Sequence, residues 1–110
     1  SLLSIVAVLD DTGPGAILVA NHTLPPAELR RRLEVEGRHI YTVDATAIAL
    51  EVLGHHMPNT AMLGALARAT GLVPLGELEG QVWRAFGAEG ETARRNLEAL
   101  RRGYEEVKGE

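Results

Sequence analysis

Residues 59–71, Asn-Thr-Ala-Met-Leu-Gly-Ala-Leu-Ala-Arg-Ala-Thr-Gly, read as a helix with almost no face for water. A helix that apolar is buried against close neighbours. Gly64 inside it costs about 1 kcal/mol relative to alanine, and together with Ala61, Ala65 and Ala69 it leaves a groove shallow enough for another backbone to approach. Either the chain fills that groove itself or a partner does.

The 110 residues fit one domain that buries about 65% of its unfolded surface. Aromatic side chains are limited to Tyr41, Trp83, Phe86 and Tyr104, so the core is built from Ala, Val, Leu and Ile, which suits close helix packing. The formal net charge is −4, and acidic residues flank each basic cluster, Arg30–Arg32, Arg94–Arg95 and Arg101–Arg102. Nucleic acid is not the expected partner of such a surface. There is no cysteine, hence no disulfide and no thiolate ligand for an iron–sulfur cluster. No apolar run approaches the roughly 20 residues of a membrane span, and the simplest expectation is a cytoplasmic protein with no membrane partner. The sequence starts at Ser1, as a processed chain, a tag scar or a piece of something longer would.

Residues 1–10 are apolar enough for a short helix or a strand, and periodicity does not choose between them. A turn at Asp10-Asp11-Thr12-Gly13-Pro14-Gly15 follows. Ala16-Ile17-Leu18-Val19-Ala20 is apolar on both faces of a strand, the pattern of a central strand covered on each side, ending at Asn21. Pro25-Pro26 introduces a helix over residues 27–36 with Leu29 and Leu33 inward, Glu28–Arg32 and Arg30–Glu34 as i,i+4 pairs, and Gly37 as its stop. His39-Ile40-Tyr41-Thr42-Val43 is a second strand. Strand, helix, strand implies a parallel pair with a right-handed crossover. The expected fold class is therefore α/β, a small parallel or mixed sheet covered by helices, with a helical carboxyl-terminal half.

Both strand ends then lie on one edge, where ligands of open α/β sheets collect. Asn21, His22 and Thr23 follow the first strand, and Asp44, Ala45 and Thr46 follow the second. Asp44 also has the position of an N-cap for a helix through Ile48, Ala49, Val52 and Leu53 that Gly54 closes. His22 is read as a surface-loop histidine and, alternatively, as a proton-exchanging group. Asn59 is placed as the N-cap of the next helix, and Gly71 as its end. A helix through Leu75, Leu78, Val82 and Ala85 or Phe86 follows, with Trp83 read as core filler and, alternatively, as an interface residue. The last helix, residues 89–106, carries Ala93, Leu97, Leu100, Tyr104 and, just beyond, Val107 on one stripe, with Asn96 beside it as a structural hydrogen-bonding group. Gly13-Pro14-Gly15 precedes a strand and is no phosphate loop. His55 and His56 are adjacent and lack zinc spacing, and no serine occupies a nucleophile elbow.

Taken in order, Ala20-Asn21-His22-Thr23, Thr42-Val43-Asp44-Ala45-Thr46-Ala47-Ile48-Ala49, Asn59-Thr60-Ala61-Met62-Leu63-Gly64-Ala65-Leu66, Gly71-Leu72-Val73, Asn96-Leu97 and Gly103-Tyr104 resemble the gamma subunit of 2-oxoacid:ferredoxin oxidoreductases. That family covers enzymes for pyruvate, 2-oxoglutarate, ketoisovalerate and indolepyruvate. The resemblance spans nearly the whole chain, but the family's opening strand and glycine-rich GxGGQG turn are missing from it. It implies the carboxyl-terminal part of a gamma-type domain, not active alone, within a complex that oxidatively decarboxylates a 2-oxoacid, forms an acyl-CoA and reduces ferredoxin. Thiamine diphosphate with Mg, and iron–sulfur clusters, would then sit in other subunits, the thiamine-binding and ferredoxin-like chains. This chain would contribute packing and the coenzyme A or substrate crevice, with Asn21, Thr23, Asp44 and Thr46 facing it as hydrogen-bonding groups rather than acid–base catalysts. Two alternatives remain: an interaction module that keeps only the fold, and a self-contained small-ligand domain using His22 and Asp44.

Overall fold

A computed structural model describes residues 4–8, 17–34, 39–55 and 57–110. The elements run β1 (Ser4–Val8), β2 (Ile17–Asn21), α1 (Pro26–Leu33), β3 (His39–Val43), α2 (Ala45–Val52), α3 (Asn59–Thr70), α4 (Leu75–Ala85), α5 (Gly90–Glu106) and β4 (Lys108–Gly109). The sheet order is β1-β2-β3-β4. β2 and β3 are parallel, with Ile17 opposite His39 and Asn21 opposite Val43, while β1 and β4 run antiparallel to their neighbours. The sheet is thus mixed, and the ambiguous opening segment holds a strand at Ser4–Val8. The turn expected at residues 10–15, and Ala16, Gly37 and His56, lie outside the described residues.

Alternation along β2 divides the core between two faces. Leu18 and Ala20 meet Leu29 of α1 and Ile40, whereas Val19 joins Val43, Ile48, Val52, Ala61, Met62, Ala65 and Ala99 on the other face. A third cluster, Ala67, Leu78, Val82 and Leu100, ties α3, α4 and α5 together. All of β2 from Leu18 to Asn21 is buried, as its two-sided apolar pattern requires.

The groove on α3 is filled by the chain's own α5. A Cβ placed on Gly64 would stand 2.0 Å from the Leu100 carbonyl oxygen, and one on Gly103 would stand 1.9 Å from that of Ala61. The two helices therefore meet backbone to backbone, each through a glycine that admits the other's carbonyl. Thr60 Oγ1 donates to Asn96 Oδ1 at 3.1 Å, and Asn96 Nδ2 donates to the Thr92 carbonyl at 3.0 Å, which satisfies a buried amide at the same seam. The buried face of α5 is Ala93, Asn96, Ala99, Leu100 and Gly103, with Leu97 and Tyr104 packed at its margin. It is rotated toward the small residues relative to the leucine stripe the sequence suggests. The Arg68 guanidinium lies 5.1 Å from the Tyr104 ring centre and closes the margin.

Five local expectations are corrected. Helix α1 stops at Leu33 because Glu34 adopts a left-handed conformation (φ 53°) with its N–H on the Arg30 carbonyl. Glu34 is then no helical partner for Arg30, whose Nε and Nη2 instead bond Glu110 at 2.7 and 2.6 Å, and Leu33 is exposed rather than inward. Asn59 is the first residue of α3, not its cap: Pro58 precedes it, and no side chain caps the helix. Trp83 is half-buried and belongs to none of the three apolar clusters. By contrast, Gly54 and Gly71 follow α2 and α3 at positive φ, 75° and 65°, as helix-ending glycines do.

Candidate functional site

The parallel pair ends at Asn21 and Val43, and the polar residues beyond those ends take two different positions. Asn21, 6% exposed, points its amide at the start of α2. Its Oδ1 accepts from the backbone N–H of Ala45 at 2.9 Å and of Thr46 at 3.3 Å, and its Nδ2 donates to Thr46 Oγ1 at 2.9 Å. Asp44 Oδ1 accepts from Ala47 N–H at 3.0 Å, and the Asp44 carbonyl accepts from Ile48 N–H at 3.2 Å. The open amides of the first turn of α2, those of Ala45, Thr46 and Ala47, are consequently all taken. Asn21 and Thr46 form a tether between β2 and α2.

Thr23 and, beside its capping bond, Asp44 line the wall of a crevice of about 500 Å³. Three stretches enclose it: residues 22–25 between β2 and α1, residues 42–44 at the end of β3, and residues 105–108 where α5 passes into β4. His22 is fixed there by two backbone bonds. Its N–H donates to the Val43 carbonyl at 3.0 Å, and its Nδ1 accepts from Leu24 N–H at 3.0 Å, so the neutral ring carries its proton on Nε2. The crevice wall formed by residues 105–108 depends on β4, which pairs Lys108 with Thr42 and Gly109 with Tyr41. Gly109 packs against the Tyr41 ring, where a Cβ would come within 2.7 Å of Cε2.

The lining is acidic. Asp44, Glu105 and Glu106 face one lysine, Lys108. Arg102 pairs Glu106 at 2.6 Å and Glu51 at 2.6 Å, and these two carboxylates hold its guanidinium firmly protonated. Glu105 makes no ion pair among the described residues. Thr42 is 4% exposed and lines the crevice, and no other described group takes up its hydroxyl.

Sequence reasoning identified Thr23, Asp44 and His22 as neighbours from the topology alone. As site residues it missed Thr42, which reads as a β-former, Glu105 and Glu106, which read as the charged face of the last helix, and Lys108 beyond that helix. A two-residue strand such as β4 is too short for any periodicity, and Gly109 opposite an aromatic residue was its one trace. Among the described residues no group of His, Cys, Asp or Glu is arranged to hold a metal ion.

The likeness to known proteins covers these same elements. The family model for pyruvate ferredoxin/flavodoxin oxidoreductase matches residues 1–106. A pyruvate synthase subunit PorC of Thermotoga maritima is 41% identical over 104 residues, which cover 93% of this chain and 54% of that protein. The pyruvate/ketoisovalerate oxidoreductases common subunit gamma of Pyrococcus furiosus is 37% identical over 107 residues, 97% of this chain and 57% of the relative. The crystal structure of pyruvate oxidoreductase subunit PORC (EC 1.2.7.1) from Thermotoga maritima superposes with a TM-score of 0.79 over 88% of this chain and 53% of that one, at 41% identity. The chain thus spans about half the length of the curated relatives it matches. On a match that runs through every helix from α1 to α5, the chain belongs to the pyruvate ferredoxin/flavodoxin oxidoreductase family.

Proposed function

We propose that this chain serves as a gamma-type subunit, or as part of one, in a cytoplasmic complex that oxidatively decarboxylates a 2-oxoacid to an acyl-CoA and passes the electrons to ferredoxin. The observation that carries the reading is the joint likeness in sequence and fold to proteins named as gamma or PorC subunits. In our reading the chain is one folding unit, the carboxyl-terminal part of the gamma-type domain, and is inactive by itself.

Thiamine diphosphate with Mg would supply carbanion stabilisation in such a complex, the clusters electron transfer, and coenzyme A the acyl acceptor. The residues of this chain do not fit those groups. The sequence has no cysteine for a cluster. A diphosphate would meet a helix terminus whose amides are already bonded to Asn21 and Asp44, beside the carboxylates of Glu105 and Glu106. We therefore assign the cofactors to the thiamine-binding and ferredoxin-like subunits. The role of this chain is to pack against them, with Thr23 and Asp44 as crevice-facing hydrogen-bonding groups and Asn21 and Thr46 as their supports.

Purification of the natural complex through a tag on this chain tests the reading. Thiamine-binding and cluster-binding chains should co-purify in fixed stoichiometry with 2-oxoacid-dependent ferredoxin reduction. Recovery of the chain without either, and without activity, would sink it. The reading as a module that keeps only the fold predicts the same partners but a complex whose activity is unchanged when this chain is stripped away.

A further inference from the structure

The crevice is of the wrong sign for a phosphate and of the right sign for a cation. We propose that it seats a basic side chain presented by a partner subunit, and that this contact helps to dock the chain in its complex. The inference rests on the subunit role argued above and names the chemistry of one contact within it.

Three features carry the argument. First, the anion site that a strand end and a helix N-terminus usually supply is closed from inside, because Asn21 Oδ1 and Asp44 Oδ1 accept from the amides of Ala45, Thr46 and Ala47. Secondly, the carboxylate of Glu105 has no cationic partner among the described residues, and that of Asp44 has one oxygen engaged in capping, so the lining holds acceptor capacity for a charged donor. Thirdly, Thr42 is 4% exposed, lines the crevice and makes no side-chain hydrogen bond among the described residues, so its hydroxyl is available to an incoming group. Lys108 does not cancel the lining, since two carboxylates besides the one on Arg102 share it. An ammonium or guanidinium fits this set: its donors find carboxylate and hydroxyl acceptors, and its aliphatic stem finds Leu24, Pro25 and Val107.

The test uses the purified complex. The sodium chloride concentration at which this chain dissociates is measured for the wild type, Glu105→Gln, Thr42→Val and, as a control on the exposed side of α5, Glu98→Gln. Glu105→Gln should weaken association about tenfold and flatten its salt dependence, the loss of one well-placed charge contact. Thr42→Val should weaken association without lowering the unfolding midpoint of the chain, because valine suits a buried strand position; a merely structural hydroxyl would lower that midpoint instead. Zero-length carbodiimide coupling of the wild-type complex gives a second readout if the basic group is a lysine: an amide bond between Glu105 or Asp44 and a partner lysine. Sodium pyrophosphate should not compete. An intact complex indifferent to Glu105→Gln and Thr42→Val, or one in which pyrophosphate protects these residues, overturns the crevice inference alone. A chain that forms no complex overturns it together with the proposed function.

Discussion

Gly64 and Gly103 illustrate how a single missing carbon sets the position of two helices. Each sits where a Cβ would overlap a carbonyl oxygen of the facing helix, at 2.0 and 1.9 Å, and backbone is the one neighbour that does not rotate away. Gly64→Ala and Gly103→Ala should therefore each destabilise the chain by about 3 kcal/mol or more, at the upper end of overpacking costs, and their effects should not add because they open the same seam. Gly76 provides the control: nothing lies within 4 Å of its Cβ position on α4, so Gly76→Ala should stabilise by about 0.5–1 kcal/mol. Urea unfolding of the three variants checks all of this. Asn21 is a second residue whose role lies in the scaffold. Asn21→Ala leaves two amides of α2 and the Thr46 hydroxyl without their partner, and should cost about 2–3 kcal/mol by the same measurement.

At the scale of elements, the sequence spoke clearly wherever one residue type leaves one option. Asp44 capped α2, Gly71 ended α3, and the two-sided apolar run of β2 is a buried strand. It spoke faintly where the deciding contact is long-range. Arg30 has Glu34 within helical reach in the sequence, yet it binds Glu110, because Glu34 turns out of the helix while β4 brings the end of the chain across the sheet. For the same reason the crevice was legible only on the side built by the β2 and β3 ends. The side built by residues 105–108 depends on a pairing that no local pattern encodes. The Arg30–Glu110 contact also makes β4 sensitive to acid. The hydrogen bond from Arg30, foremost, holds the Glu110 carboxyl below its ordinary value. Its contribution is then complete above that ordinary value and is lost as the pH falls through the depressed one. The protection factor of the Gly109 amide, its exchange relative to the intrinsic rate at each pH, should fall on acidification through that range and with added salt. In Arg30→Ala the Gly109 protection factor should already be low at neutral pH and show no such acid step.

For the molecule as a whole, a thin sheet carries one helix on one face and a four-helix layer on the other, and apolar side chains stay in the open at several places. Leu72 is 74% exposed, Met57 62% and Leu50 43%, on the α3–α4 connection, the α2–α3 loop and the outer side of α2. The proposed subunit role gives such uncovered groups a use, as points where another chain would settle. In the assembled complex, these three side chains should be protected from solvent relative to the free chain, which oxidation of Met57 to its sulfoxide reads directly: rapid in the free chain and slowed in the complex. The seam between α3 and α5 has one more consequence. The end of α5 is a wall of the crevice, and the middle of the same helix is locked, main chain against main chain, onto a buried neighbour. That wall cannot swing outward unless the central packing parts as well. The crevice therefore meets an incoming group already shaped, so recognition there selects by fit and charge and spends none of its free energy on closing.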